Sequence, residues 1–225
     1  MKSLLESFVT GLGNQLGIVC AGLLIAALGV ILGNVIPATQ RRKSNIKKVY
    51  LQGRSIGSME SKMQNSRLIR VLALSARGFT HTYRSILTSH VANGGRLEFL
   101  LAEPNSALMQ EASEMEQRGP GAITQSLHAT IELIGAIWSD AKRVAEREGK
   151  STGTIEARFY HTEIRNPIIM CIGNDNKLYA WISVLIPPKA AAECQMLEYF
   201  NGSDCAEYFN LVWRRYESTA HHWRE

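Results

Sequence analysis

"LIRVLALS" (68–75) and "RLEFLLAEP" (96–104), with "FTHTYRSILTSHVANGG" (79–95) between them, decide how this chain is read. Both outer stretches are apolar runs of strand length, and the second stops at Pro104. The middle stretch has a helical pattern and closes on Gly94 and Gly95, a common C-terminal stop. A strand, a helix and a second strand imply parallel pairing through a crossover. The fold class expected is therefore α/β, with both strands in one sheet.

Downstream, "SALMQEASEMEQRG" (106–119) reads as a helix, and "GPG" (119–121) breaks the chain. A long amphipathic helix follows over 122–149, with Leu127, Ile131, Ile134 and Trp138 near one face. Strands are expected at "TIEARFYH" (154–161), "PIIMCIG" (167–173) and "KLYAWISVL" (177–185), the last two joined by "NDN". "DCAEYFNLVWRRYESTAHHW" (204–223) is the closing helix, with His221 and His222 in its frayed tail.

Upstream the composition changes. Ser7 to Gln40 holds no charged residue, and within it Leu16 to Ile36 has Asn34 as its only strongly polar side chain. About 20 apolar residues in a helix cross the ~30 Å hydrocarbon layer. The run starts late and is long for a signal peptide, and "VIPATQ" lacks an A-x-A exit. An uncleaved transmembrane helix is expected over 16–36. It follows a short N-terminal segment (1–15) and precedes a basic juxtamembrane linker (37–64) and a cytosolic mixed-sheet domain (65–225).

Arg41, Arg42, Lys43, Lys47 and Lys48 crowd the C-terminal flank, whereas Lys2 and Glu6 cancel on the other side. The positive-inside bias places the N-terminus outside and the C-terminal domain in the cytoplasm of the inner membrane. Those five cations supply the whole net charge of +5, so the body beyond them is neutral. Direct nucleic-acid binding by the body is disfavoured, since it needs a concentrated cationic footprint. The basic cluster suits anionic lipid headgroups. Gly22, Ala26, Gly29 and Gly33 share one helical face, the pattern through which membrane helices approach closely and self-associate. Cys20 lies in the span, and Cys171, Cys194 and Cys205 show no C-x-x-C spacing, which fits a reducing compartment.

"IRVLALSARGF", a helix, "GGRLEFLLAEPNS", the later "NPIIMCIGNDNKLYAW" and the terminal "YFNLVWRRY" together resemble phospholipase D-like domains over about residues 65 to 217. The resemblance implies a mixed sheet and a catalytic H-x-K-x-x-x-x-D motif whose His attacks phosphorus. Aligning Asp175 with the motif's Asp puts Ile168 at the His position and Met170 at the Lys position. Taking His161 as nucleophile puts Glu163 at the Lys position and Ile168 at the Asp position, and an acidic group there repels phosphate. Both alignments fail, so no catalytic residue is assigned. The remaining histidines form no H-E-x-x-H or other ligand spacing, and neither a metal nor a cofactor is expected.

One ligand site is expected. Loops after the first two strands emerge together at the carboxyl edge of a parallel sheet, where ligands usually bind. Ser75, Arg77, Glu103 and Asn105 then converge on a nucleotide or phosphate. The leading expectation is a membrane effector or sensor that responds to a nucleotide, protein or ribonucleoprotein trigger. It is similar to the single-pass effectors of bacterial anti-phage systems, including those paired with retrons. The alternative is a membrane-tethered phosphodiesterase or lipid hydrolase with a non-standard site, which needs His161 or another histidine to meet Asp175 or Glu163 in a pocket. A third is a scaffold held at the membrane.

Overall fold

The computed structural model describes residues 46–50, 57–104, 106–117, 119, 121–161, 166–184, 195–200 and 203–222. The chain divides into Met1–Ser44 and Asn45–Glu225, and all the described residues lie in the second unit. The segments read as 1–15 and 16–36, and with them Arg41, Arg42 and Lys43, lie outside the described residues. Among the described residues no helix is long and apolar enough to cross a membrane.

In chain order the elements are β1 (Ile46–Tyr50), α1 (Gly57–Gln64), β2 (Ser66–Ala73), α2 (Arg77–Thr82), α3 (Arg84–Ala92), β3 (Arg96–Ala102), α4 (Ala107–Met115), α5 (Ala122–Glu148), β4 (Thr154–Tyr160), β5 (Ile168–Gly173), β6 (Leu178–Val184), β7 (Gln195–Phe200), α6 (Ser203–Glu217) and β8 (His221–His222). The strands make one mixed eight-stranded sheet in the order β1-β7-β6-β5-β2-β3-β4-β8. β2 and β3 pair in parallel from Leu68↔Arg96 to Ala73↔Leu101, as the crossover requires. β4 continues the parallel set beside β3, and β5, β6, β7 and β1 extend the other side as antiparallel neighbours.

The sheet's two faces follow from strand alternation. One carries Ile69, Val71, Leu97 and Phe99, all buried, beneath α1, α3 and α5. Fully burying such a side chain contributes about 1.5–3 kcal/mol each. The other face packs on α6, where Phe209 meets Tyr199 edge-on at 5.5 Å and Tyr216 meets Tyr160 at 5.4 Å. A charged cluster also lies there. Glu98, 5% exposed at its side chain, accepts from Arg70 at 2.8 Å and Arg96 at 2.6 Å, and Arg70 lies over the Trp213 ring at 4.8 Å.

Several details differ from the sequence reading. Within 37–64, read as a linker, β1 pairs with β7 and α1 buries Met59 and Met63, one turn apart, in the core. Lys47 and Lys48 therefore belong to an edge strand. The helix expected over 79–95 is two short helices meeting at Tyr83, whose φ of −104° departs from helical values. Trp138 does not join the core stripe of α5: it is 41% exposed, and the buried positions are Ile123, Ser126, Leu127, Thr130, Ile137, Ala141 and Ala145. His221 and His222 do not fray, because α6 ends at Glu217 and they pair with Phe159 and Arg158 as β8.

Gly95 and Gly153 mark where β3 and β4 start. A Cβ on Gly153 would lie 1.9 Å from the Gly95 carbonyl oxygen, so only glycine permits this approach. A Cβ on Gly95 would lie 2.3 Å from the buried His90 ring, whose Nε2–H donates to the Arg96 carbonyl at 3.0 Å.

Candidate functional site

The carboxyl ends of β2, β3 and β4 form one rim. Beyond β2 the chain passes Ser75 and turns at Ala76, which holds a left-handed φ of 56°, into α2. The Ser75 carbonyl is fixed by the Thr130 hydroxyl of α5 at 2.5 Å. Arg77 opens α2 and is exposed. Beyond β3, the Glu103 N–H donates to the Tyr160 carbonyl at 3.1 Å, and the Glu103 carbonyl accepts from the Ser106 hydroxyl at 2.8 Å. The parallel ladder thus places the Ser75 and Glu103 loops side by side, whereas Asn105 lies outside the described residues.

Glu103 turns toward histidines. Its Oε2 lies in hydrogen-bonding contact with Nδ1 of His161, the residue that follows β4, and its Oε1 lies 3.6 Å from Nε2 of His221 on β8. The two imidazoles stack with centroids 5.1 Å apart and planes 25° apart. Glu103, His161 and His221 each offer one donor atom, and these atoms all lie within 4.8 Å of one another. The Glu103 side chain is 33% exposed and those of His161 and His221 55% and 48%, so solvent reaches all three.

How His221 arrives there is explained by the residues before it. Arg158, nearly buried on β4, binds Glu217 at 2.6 Å and Glu156 at 3.4 Å, anchoring the last turn of α6 to the sheet. The Ser218 hydroxyl then donates to the Arg215 carbonyl at 2.8 Å and the Ala220 N–H to the Glu217 carbonyl at 3.2 Å, which turns the chain back along β4. Beneath the rim, burial pushes the Tyr160 phenol well above its usual range, so it stays a neutral donor to the Ala73 carbonyl at 3.2 Å.

The positions tested for phospholipase chemistry lie elsewhere. Ile168 and Met170 are buried in β5. Asp175 sits in the β5–β6 turn, where a hydrogen bond from Lys177 holds its carboxyl below the usual carboxylate range. Glu163 lies outside the described residues. His161, considered beside Asp175 and Glu163, meets Glu103 instead. His221, read as tail, completes the group. No local spacing joins the three residues, and only the neighbour relations of β3, β4 and β8 bring them together.

No protein-family model matches the chain, and no curated protein matches it. Among solved structures it is similar to Nuc from Salmonella typhimurium, a phospholipase D family member, at 14% identity and a TM-score of 0.44, over 79% of this chain and 99% of that one. It is also similar to TrmBL2, an archaeal chromatin protein with a novel mode of DNA binding, at 12% identity and a TM-score of 0.43, over 97% of this chain and 70% of that one.

Proposed function

We propose that the chain is a membrane-anchored, non-enzymatic effector or sensor of bacterial antiviral defence. A phospholipase D-like module in the cytoplasm reads a nucleotide, protein or ribonucleoprotein trigger at the rim that carries Ser75, Arg77 and Glu103. The response passes to a helix over 16–36 in the inner membrane, which self-associates through Gly22, Ala26, Gly29 and Gly33. Arg41, Arg42 and Lys43 meet anionic headgroups, with Lys47 and Lys48 following on β1. The observation that carries the non-enzymatic part is the burial of Ile168 and Met170 in β5, where phospholipase chemistry would need a nucleophile and a phosphate-holding cation.

One observation favours the hydrolase reading, the close contact between the His161 imidazole and the Glu103 carboxylate at the strand ends. A carboxylate that orients an imidazole is the arrangement general-base catalysis uses. Two experiments test these readings. Alkaline extraction should leave the protein with the membranes, and a reporter active only in the cytoplasm, fused after Glu225, should be active; a soluble, silent fusion overturns the anchor. His161→Ala should leave cellular activity within a few-fold, and a loss on the order of a hundredfold with the fold intact establishes the hydrolase instead.

A further inference from the structure

We propose that Glu103, His161 and His221 bind a divalent transition-metal ion of the zinc class. The donors are two imidazoles and one carboxylate, a set that suits zinc, whereas magnesium and calcium take oxygen ligands. In a tetrahedral zinc site the donor atoms lie about 3.3 Å apart, given bonds of ~2.0–2.1 Å. Here the three lie within 4.8 Å of one another. Side chains a third to a half exposed can close that gap by small rotations about their own bonds.

The main chain beneath the donors is held in place. Glu103 is hydrogen-bonded to Tyr160, His161 follows directly from Tyr160, and His221 is paired with Phe159. All three donors are therefore tied to the last two residues of β4. Without a cation the cluster is a set of exposed polar contacts, which contribute little in water. A cation shared by the two imidazoles and the carboxylate would satisfy all three donors at once.

Three protein ligands leave a fourth position for water or an exogenous donor, which structural zinc sites fill with protein. Occupancy would join β3, β4 and β8 through one ion. Because β8 is only two residues long, the metal would fix the chain beyond α6 against the sheet edge. The site belongs to the sheet domain and does not depend on the membrane reading.

The test uses the full chain in detergent. Zinc is titrated in competition with a chromophoric chelator, and cobalt is then substituted to read the visible bands of a four-coordinate site. One ion per chain is expected. Glu103→Gln, His161→Ala and His221→Ala should each weaken zinc binding at least about tenfold. His128→Ala, exposed on α5, should not weaken it. Zinc should raise the melting temperature of the native chain and leave that of the triple variant unmoved. Circular dichroism without metal checks each variant's fold, and His221→Asn replaces His221→Ala if the latter is perturbed. Binding that all three substitutions leave unchanged, or no binding and no thermal shift, overturns the site. Loss of binding with membrane activity intact would overturn only the effector reading's dependence on this rim.

Discussion

Replacing Gly153 with alanine tests how the strands carrying the rim are brought together. The new Cβ would lie 1.9 Å from the Gly95 oxygen and 2.8 Å from the carbonyl carbons of Gly94 and Gly95. All three are backbone atoms, so no rotamer change relieves the contact. An ordinary contact needs about 3.4 Å, and the β3 and β4 chains must separate by roughly 1.5 Å at this point. That displacement breaks the hydrogen bond from Thr154 N–H to the Gly95 carbonyl at 3.2 Å and strains the one from Gly153 N–H to the Val91 carbonyl at 2.8 Å. Overpacking costs about 1–3 kcal/mol, and one lost hydrogen bond adds about 0.5–1.5 kcal/mol. The sum is about 3 kcal/mol, which lowers the melting temperature of a domain this size by roughly 6–12 °C. Thermal unfolding followed by circular dichroism measures it, with Gly119→Ala, whose Cβ would meet nothing within 4 Å, as control. A fall below about 2 °C refutes the close approach.

Three further outcomes are expected. Gly135→Ala, on an exposed face in the middle of α5 with open space around its Cβ, should stabilise the protein by about 0.5–1 kcal/mol in denaturant unfolding. Burial lowers the pKa of His90, so the unfolded chain takes up a proton before the folded one does. Stability from this residue is therefore complete above about pH 6.5 and falls on acidification through the lowered pKa. Unfolding at stepped pH should show that loss, and His90→Asn should flatten it. Cys171 is fully buried and burial pushes its thiol far up, so iodoacetamide should leave it unlabelled in the folded protein, as read by peptide mass spectrometry.

The parts of the fold that could be read from sequence are those in which pattern and packing agree. "LIRVLALS" and "RLEFLLAEP" became β2 and β3 because strands buried on both faces show as continuous apolar runs. The β5–β6 hairpin was marked by Asn174, Asp175 and Asn176, and Asn176 takes the positive φ of 61° that such a turn uses. Edge and late elements gave weaker signals. β7 carries Glu198, buried at 1%, a charge that hides a strand, and β1 reads as part of a basic juxtamembrane linker. Loop position points to Ser75, Arg77, Glu103 and Asn105 at this edge, and Asn105 lies outside the described residues. His161 and His221 became visible once β4 was known to lie beside β3 and β8 beside β4, and long-range pairing of that kind leaves no local pattern.

Membrane potential, read with a voltage-sensitive dye during overproduction, tests the effector reading most directly. On that reading the native chain should depolarise cells, through association of membrane helices along Gly22, Ala26, Gly29 and Gly33. Gly29→Leu with Gly33→Leu keeps the segment apolar enough to insert but holds neighbouring backbones apart, and should leave the potential intact. The isolated 45–225 unit should also be harmless. A double variant that depolarises cells as fully as the native chain contradicts helix packing as the mechanism, and toxicity from 45–225 alone shows that the membrane is not the target.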